Sequence, residues 1–145
     1  MLCVNSYSQK YTDECRSRME SQLAAYRVLV TAGREKIGSG KSAFNSAVDS
    51  FEPLFFNSLV VVLDSFFVHR SRTIEKKGGN PACEVRMVCN SILQNCGVMT
   101  ADKTIKFNSS KSVLKLHIGE EIKLTEPDFV LLFRAFFSEI ETKFM

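Results

Sequence analysis

Apolar residues return every three or four positions at Tyr7, Tyr11, Cys15, Met19, Leu23, Tyr26 and Val30, leaving Arg16, Arg18, Glu20 and Arg27 off the stripe. That spacing predicts an amphipathic helix from Tyr7 to about Val30, which Gly33 can close as a left-handed cap. A glycine-rich linker follows, and Ser42 can cap a short helix carrying Phe44, Val48 and Phe51. Pro53 then either opens a new helix or kinks a longer one. The next stretch, PLFFNSLVVVLDSFFVHRSR, is apolar on nearly every side. It predicts a central helix from Pro53 to Arg72 with other elements packed around it. Val60, Val61 and Val62 suit a strand equally well, but the apolar run outlasts a typical strand. From Leu54 to Val68 the run is too short for a membrane span, and Asn57, Ser58, Asp64 and Ser65 interrupt it.

EKKGGNPACE is the clearest loop. Gly78-Gly79 ends the preceding element, Asn80 is a good N-cap, and Pro81 fits the first helical position. A helix from Pro81 to Cys96 follows, with Val85, Val88, Ile92 and Cys96 inward and Gly97 closing it. The period then becomes alternating: Ile105 and Phe107, then Leu114, Leu116 and Ile118, then Ile122 and Leu124. With turns at Asn108-Ser109-Ser110 and Gly119-Glu120, this predicts a two- or three-stranded antiparallel meander. Thr125 caps a last helix with Phe129, Phe133, Phe136, Phe137 and Ile140 on one face. The expected fold is therefore α+β and mainly helical. About four helices would form a bundle around a buried central helix, with the antiparallel meander before the C-terminal helix.

At 145 residues the chain fits one domain, 1–145. Its 45% hydrophobic and 24% charged residues are ordinary for a globular protein, and twelve phenylalanines with no tryptophan imply a core of Phe and aliphatic side chains. A net charge of +3 is too small to imply nucleic acid. The five cysteines are odd in number and form no Cys-x-x-Cys pair, and MLCVNSYSQKYTDECR lacks the design of a secretory leader. Reduced thiols in a cytoplasmic protein are expected, with Cys89 and Cys96 as small core residues. His69 and His117 are the only imidazoles, so no metal site and no cofactor are expected.

Gly40-Lys41-Ser42 imitates the end of a phosphate-cradling loop, but Glu35 stands where the first glycine belongs. LVVVLD, Leu59–Asp64, imitates the strand that steadies magnesium, yet follows Lys41 too closely for a βαβ plan. The stretch reads as a solvated linker before a capped helix.

The chemistry worth watching lies on either side of the EKKGGN loop: Asp64, His69, Arg70, Arg72, Asn80, Glu84, Arg86 and Asn90. On one long helix Asn57, Val61, Asp64, Val68 and Arg72 share a side, which inserts a carboxylate into an apolar face. Such a group needs a partner, and Arg86 and Arg72 are the obvious ones, with Asn90 joining them. In one reading the cluster is structural and Arg70, Lys76 and Lys77 are solvated. In the other, His69, Arg70 and Arg72 hold a small anionic ligand beside the helix start at Asn80. The leading functional expectation is a non-enzymatic binding or protein-interaction module, with a homodimer through the aromatic last helix. A small hydrolase-like enzyme using His69 as general acid or base is the alternative. Binding of nucleic acid through Lys103, Lys106, Lys111 and Lys115 ranks third, because stacking aromatics are not interleaved. No membrane is expected.

The order Phe55-Phe56-Asn57, Asp64-Ser65-Phe66-Phe67-Val68-His69-Arg70-Ser71-Arg72, Gly79-Asn80-Pro81 and Glu84-Val85-Arg86 resembles a family of short uncharacterised bacterial proteins. The resemblance continues through ADKTIKF, IGEEIKLTE and the last helix, and it implies no activity and no functional residue.

Overall fold

The computed structural model describes residues 3–145. Helix α1 spans Gln9–Lys36, α2 Lys41–Ser65, α3 Arg72–Glu75, α4 Pro81–Gln94 and α5 Glu126–Phe144. The stripe expected on α1 is buried at Cys15, Met19, Leu23, Tyr26 and Val30. The helix does not stop at Gly33. A Cβ there would come within 2.2 Å of the Phe44 ring, so Gly33 lets α1 and α2 approach closely and is not a cap. The two helices form an antiparallel hairpin: Tyr11 Oη donates to the Phe66 carbonyl, Tyr26 Oη to Glu52, and Arg34 Nε to Asn45 Oδ1 at 3.0 Å.

Of the two roles open to Pro53, opening a new helix or lying within a longer one, the structure shows the second: Lys41–Ser65 is one 25-residue helix with Pro53 inside it. It ends at Ser65, not Arg72: a turn through Phe66–His69 reverses the chain, and Ser71 caps the single turn of α3. At full length α2 is also apolar enough to cross a membrane, with a best 18-residue window of mean hydropathy 1.3. In this fold it packs against α1, α4 and α5. Helix α4 starts as expected, with Asn80 Oδ1 accepting from Cys83 N at 2.9 Å. It ends two residues early, so Cys96 is exposed with φ 53° instead of sitting in the core. The Thr125 cap on α5 is a full capping box with Asp128, and Phe129, Phe133, Phe136, Phe137 and Ile140 are all buried. Those side chains face the protein's own core. Each fully buried Phe contributes about 1.5–3 kcal/mol.

The α+β expectation is wrong, because no strand forms among the described residues. Ile105, Ile122 and Leu124 are buried as an alternating pattern demands, but against helices and not within a sheet. Several of the backbone groups a neighbouring strand would satisfy are taken by helix side chains, while Met99 N and Ile122 N donate to the Glu120 and Gly97 carbonyls. Asn57 on α2 donates to the Ile122 carbonyl at 2.8 Å and accepts from Leu124 N at 3.2 Å. Ser91 on α4 accepts from Thr100 N at 3.0 Å. Lys106 N donates to the Lys77 carbonyl at 2.7 Å, and Gly79, at φ 69°, has room for that crossing because a Cβ would lie 2.5 Å from Lys106 O. A single antiparallel bridge, Val98 to Glu121, forms among the described residues, and Val98 lies outside the expected meander.

Candidate functional site

The reversal after α2 sets the site. Val4 N donates to the His69 carbonyl and Ser71 N to the Val4 carbonyl, both at 2.8 Å, pinning residues 69–71 beneath the N-terminal segment. Arg70 is thereby driven inward until only 2% of it is exposed. Its Nη1 donates to Asp64 Oδ1 at 2.8 Å and to the Phe67 carbonyl at 3.0 Å, its Nε to Glu75 Oε1 at 2.8 Å, and its Nη2 to the Ala82 carbonyl at 2.9 Å. The guanidinium also lies over the Phe136 ring, 5.3 Å from the centroid. Burial alone lowers the pKa of Arg70, but the Asp64 and Glu75 charges reverse that and hold it above the usual value. A buried arginine with every face occupied is a tie-point.

Glu75 is the second hub. It is buried on the single turn of α3, and its Oε2 accepts from Arg86 Nη2 at 2.9 Å and Nε at 3.1 Å. Arg72 Nε lies 3.0 Å from the same oxygen, without the alignment of a hydrogen bond, while its Nη2 donates to Thr104 Oγ1 at 2.7 Å. The Glu75 carbonyl accepts from Asn80 Nδ2 at 2.6 Å and Lys143 Nζ at 3.0 Å. The loop, α4 and α5 thus converge on one residue.

Asp64 does find an arginine, as its apolar surroundings require, but the partner is Arg70 and not Arg86 or Arg72. Arg70 is the most deeply buried cation of the cluster and not a solvated one. Arg86 serves Glu75, and Arg72 is part-exposed at the edge. Asn80 Oδ1 caps α4 itself. His69 and Asn90 are exposed and take no part in the network. Glu84, also buried, works elsewhere: its two oxygens accept from Val113 N at 2.8 Å and Leu114 N at 2.9 Å, clamping the long connection to α4. Burial raises the Glu84 pKa, and those two N–H groups partly offset the rise. Glu75 and Lys143 escaped the sequence reading. Glu75 sits among charged neighbours in TIEKK, and only a helix ending at Ser65 makes it face Arg70.

Among the described residues no cluster of histidine, cysteine and carboxylate side chains is arranged to hold a metal. Gly38–Gly40 form one 3₁₀ turn, Gly40 caps α2 and Lys41 is exposed, so the phosphate-loop imitation lies between two helices, not after a strand. No cradle for phosphate results.

A different surface is open. Helix α5 lies along the flank of α1 that carries Arg16 and Arg27, which pair with Glu141 and Glu126. The opposite flank of the α1–α2 hairpin holds two adjoining hollows of about 370 and 230 Å³. Both are lined by Tyr26, Leu29 and Phe51, one also by Ala25 and Phe55, the other by Phe44 and Val48. Tyr26 and Phe51 both stack on Phe55, with ring centroids 5.5 and 5.4 Å away. Leu29 is 66% exposed and Phe51, facing it from α2, 44%. No family model, no curated protein and no solved structure matches the chain.

Proposed function

We propose that this protein is a non-enzymatic interaction module whose working surface is the open flank of the α1–α2 hairpin. The reading is carried by the apolar hollows over the Tyr26, Phe51 and Phe55 rings, since contiguous exposed apolar surface on a small protein marks a contact site. It is supported by the state of the polar cluster. The hydrogen-bonding groups of Arg70 and both carboxylates of its network are already engaged within the protein. An anion entering there would have to displace an internal partner from a desolvated site, which costs several kcal/mol.

The test is a photo-crosslinking amino acid placed singly at Leu29, Phe51 and Leu93 in cells that naturally make the protein. Leu93 is the control, an exposed leucine on α4. Defined adducts at positions 29 and 51 but not 93 are expected. Equal labelling at all three positions, or none at any, overturns the reading.

A further inference from the structure

We infer that the hairpin flank receives an acidic amphipathic helix from a different protein. This rests on the interaction reading above and adds the chemistry of the partner. Arg18, Gln22, Ala25, Leu29 and Lys36 recur on α1 at helical spacing, so they form one stripe, and Gln22, Ala25 and Leu29 line the hollow. Across the groove, α2 contributes Phe44, Ala47, Phe51 and Phe55, none of them charged. The charges on this stripe are therefore Arg18 and Lys36, one near each end, both exposed and both positive. Arg18 to Lys36 spans about 27 Å at 1.5 Å per residue, the length of a helix of five turns. The apolar hollows lie between those two cations, lined on α1 from Gln22 to Val30, and such a surface takes a helix whose anchors fall at i, i+3 or i+4, and i+7. Cations at both ends select glutamate or aspartate flanking that apolar ridge.

A second copy of this chain fits less well. Two such flanks face to face would bring Arg18 and Lys36 of one copy against the same cations of the other, and like charges repel. Helix α5, which begins with Glu126 and Asp128, has the required acidic residues, but its apolar face is already buried.

The experiment uses the whole chain and two designed peptides of about 18 residues with the same leucine ridge, one flanked by glutamates and one by lysines. Fluorescence anisotropy should show the glutamate peptide binding at least about tenfold tighter at low salt, with the gap narrowing as salt screens the rim. The double variant Arg18→Glu/Lys36→Glu should reverse the preference. Leu29→Glu should abolish binding of both peptides with an unchanged circular dichroism spectrum. Leu29→Ser serves the same purpose if the glutamate disturbs folding. No binding, or binding indifferent to the rim charges or to Leu29, overturns the inference. So does a dimer in sedimentation that Leu29→Glu dissociates, which assigns the flank to a second copy. Binding to phosphatidylglycerol vesicles that Leu29→Glu removes also overturns it, assigning the flank to a bilayer. Crosslinking at position 29 without peptide binding rejects the acidic helix and leaves the interaction reading standing; failure of both rejects both.

Discussion

Arg70 Nη1 donates to Asp64 Oδ1 at 2.8 Å in the interior, across the end of α2, while Arg70 Nε reaches Glu75 on the next element. One cation therefore ties together the last turn of α2, the reversal that follows it and α3. Removing it would leave Asp64 without its cation in a buried site and Glu75 with Arg86 and Arg72 alone. Arg70→Ala is expected to cost about 3–5 kcal/mol, the usual loss when one member of a buried ion pair is deleted. Arg72→Ala, at a part-exposed edge position, should cost about 1 kcal/mol or less. Urea unfolding of the two variants decides the matter: equal losses would mean that Arg70 is not the tie-point.

Glu84 gives a pH signature of unusual sign. Its folded pKa lies above the ordinary 4.5 because burial outweighs the two N–H groups it accepts from. The folded state thus holds this proton more tightly than the unfolded chain, so the group's contribution to stability grows as pH falls from the raised folded value towards 4.5. The unfolding free energy of the protein minus that of Glu84→Gln should become more favourable to the native residue through that window. A difference that is flat or shrinks on acidification refutes the assignment.

Asn57 acts as a surrogate strand for the segment at Ile122–Leu124. Asn57→Leu removes a donor and an acceptor together and should cost about 1–3 kcal/mol through the unpaired backbone groups. Hydrogen exchange should show the amide of Leu124 losing protection while those in the middle of α1 keep theirs. Unchanged protection at Leu124 would show that the segment is held by packing alone.

The thiols divide by exposure. Cys3 and Cys96 are exposed, while Cys15, Cys83 and Cys89 are buried, with the Cys89 thiol pushed up to about 12 by burial and by the neighbouring Asp64 charge. A thiol-reactive disulfide reagent at pH 8 should label the first two rapidly in the folded protein and all five only after denaturation. Rapid labelling of Cys89 in the native state would contradict this burial.

Helices α1, α4 and α5 were legible because their information is local. Stripe spacing, the Asn80-Pro81 start and the Thr125-x-x-Asp128 box each act within one or two turns, and each appears as expected. The need of Asp64 for a cation was legible as well, since it follows from burying any carboxylate among apolar neighbours. Which arginine would answer was not. It depends on where α2 stops, and PLFFNSLVVVLDSFFVHRSR stays apolar past that point with no glycine or proline to mark it.

From its order of residues alone, this protein had its amphipathic faces, the Asn80 and Thr125 caps and its demand for one internal ion pair. Tertiary structure decided the rest. Alternating apolar residues between α4 and α5 say only that one side of an extended chain must be buried, not against what. Asn57, Glu84 and Ser91 answer several of those backbone groups from the helices. The reversal at Phe66–His69 likewise turns a surface-looking arginine into the interior cation, because long-range hydrogen bonds to Val4 fix its backbone there.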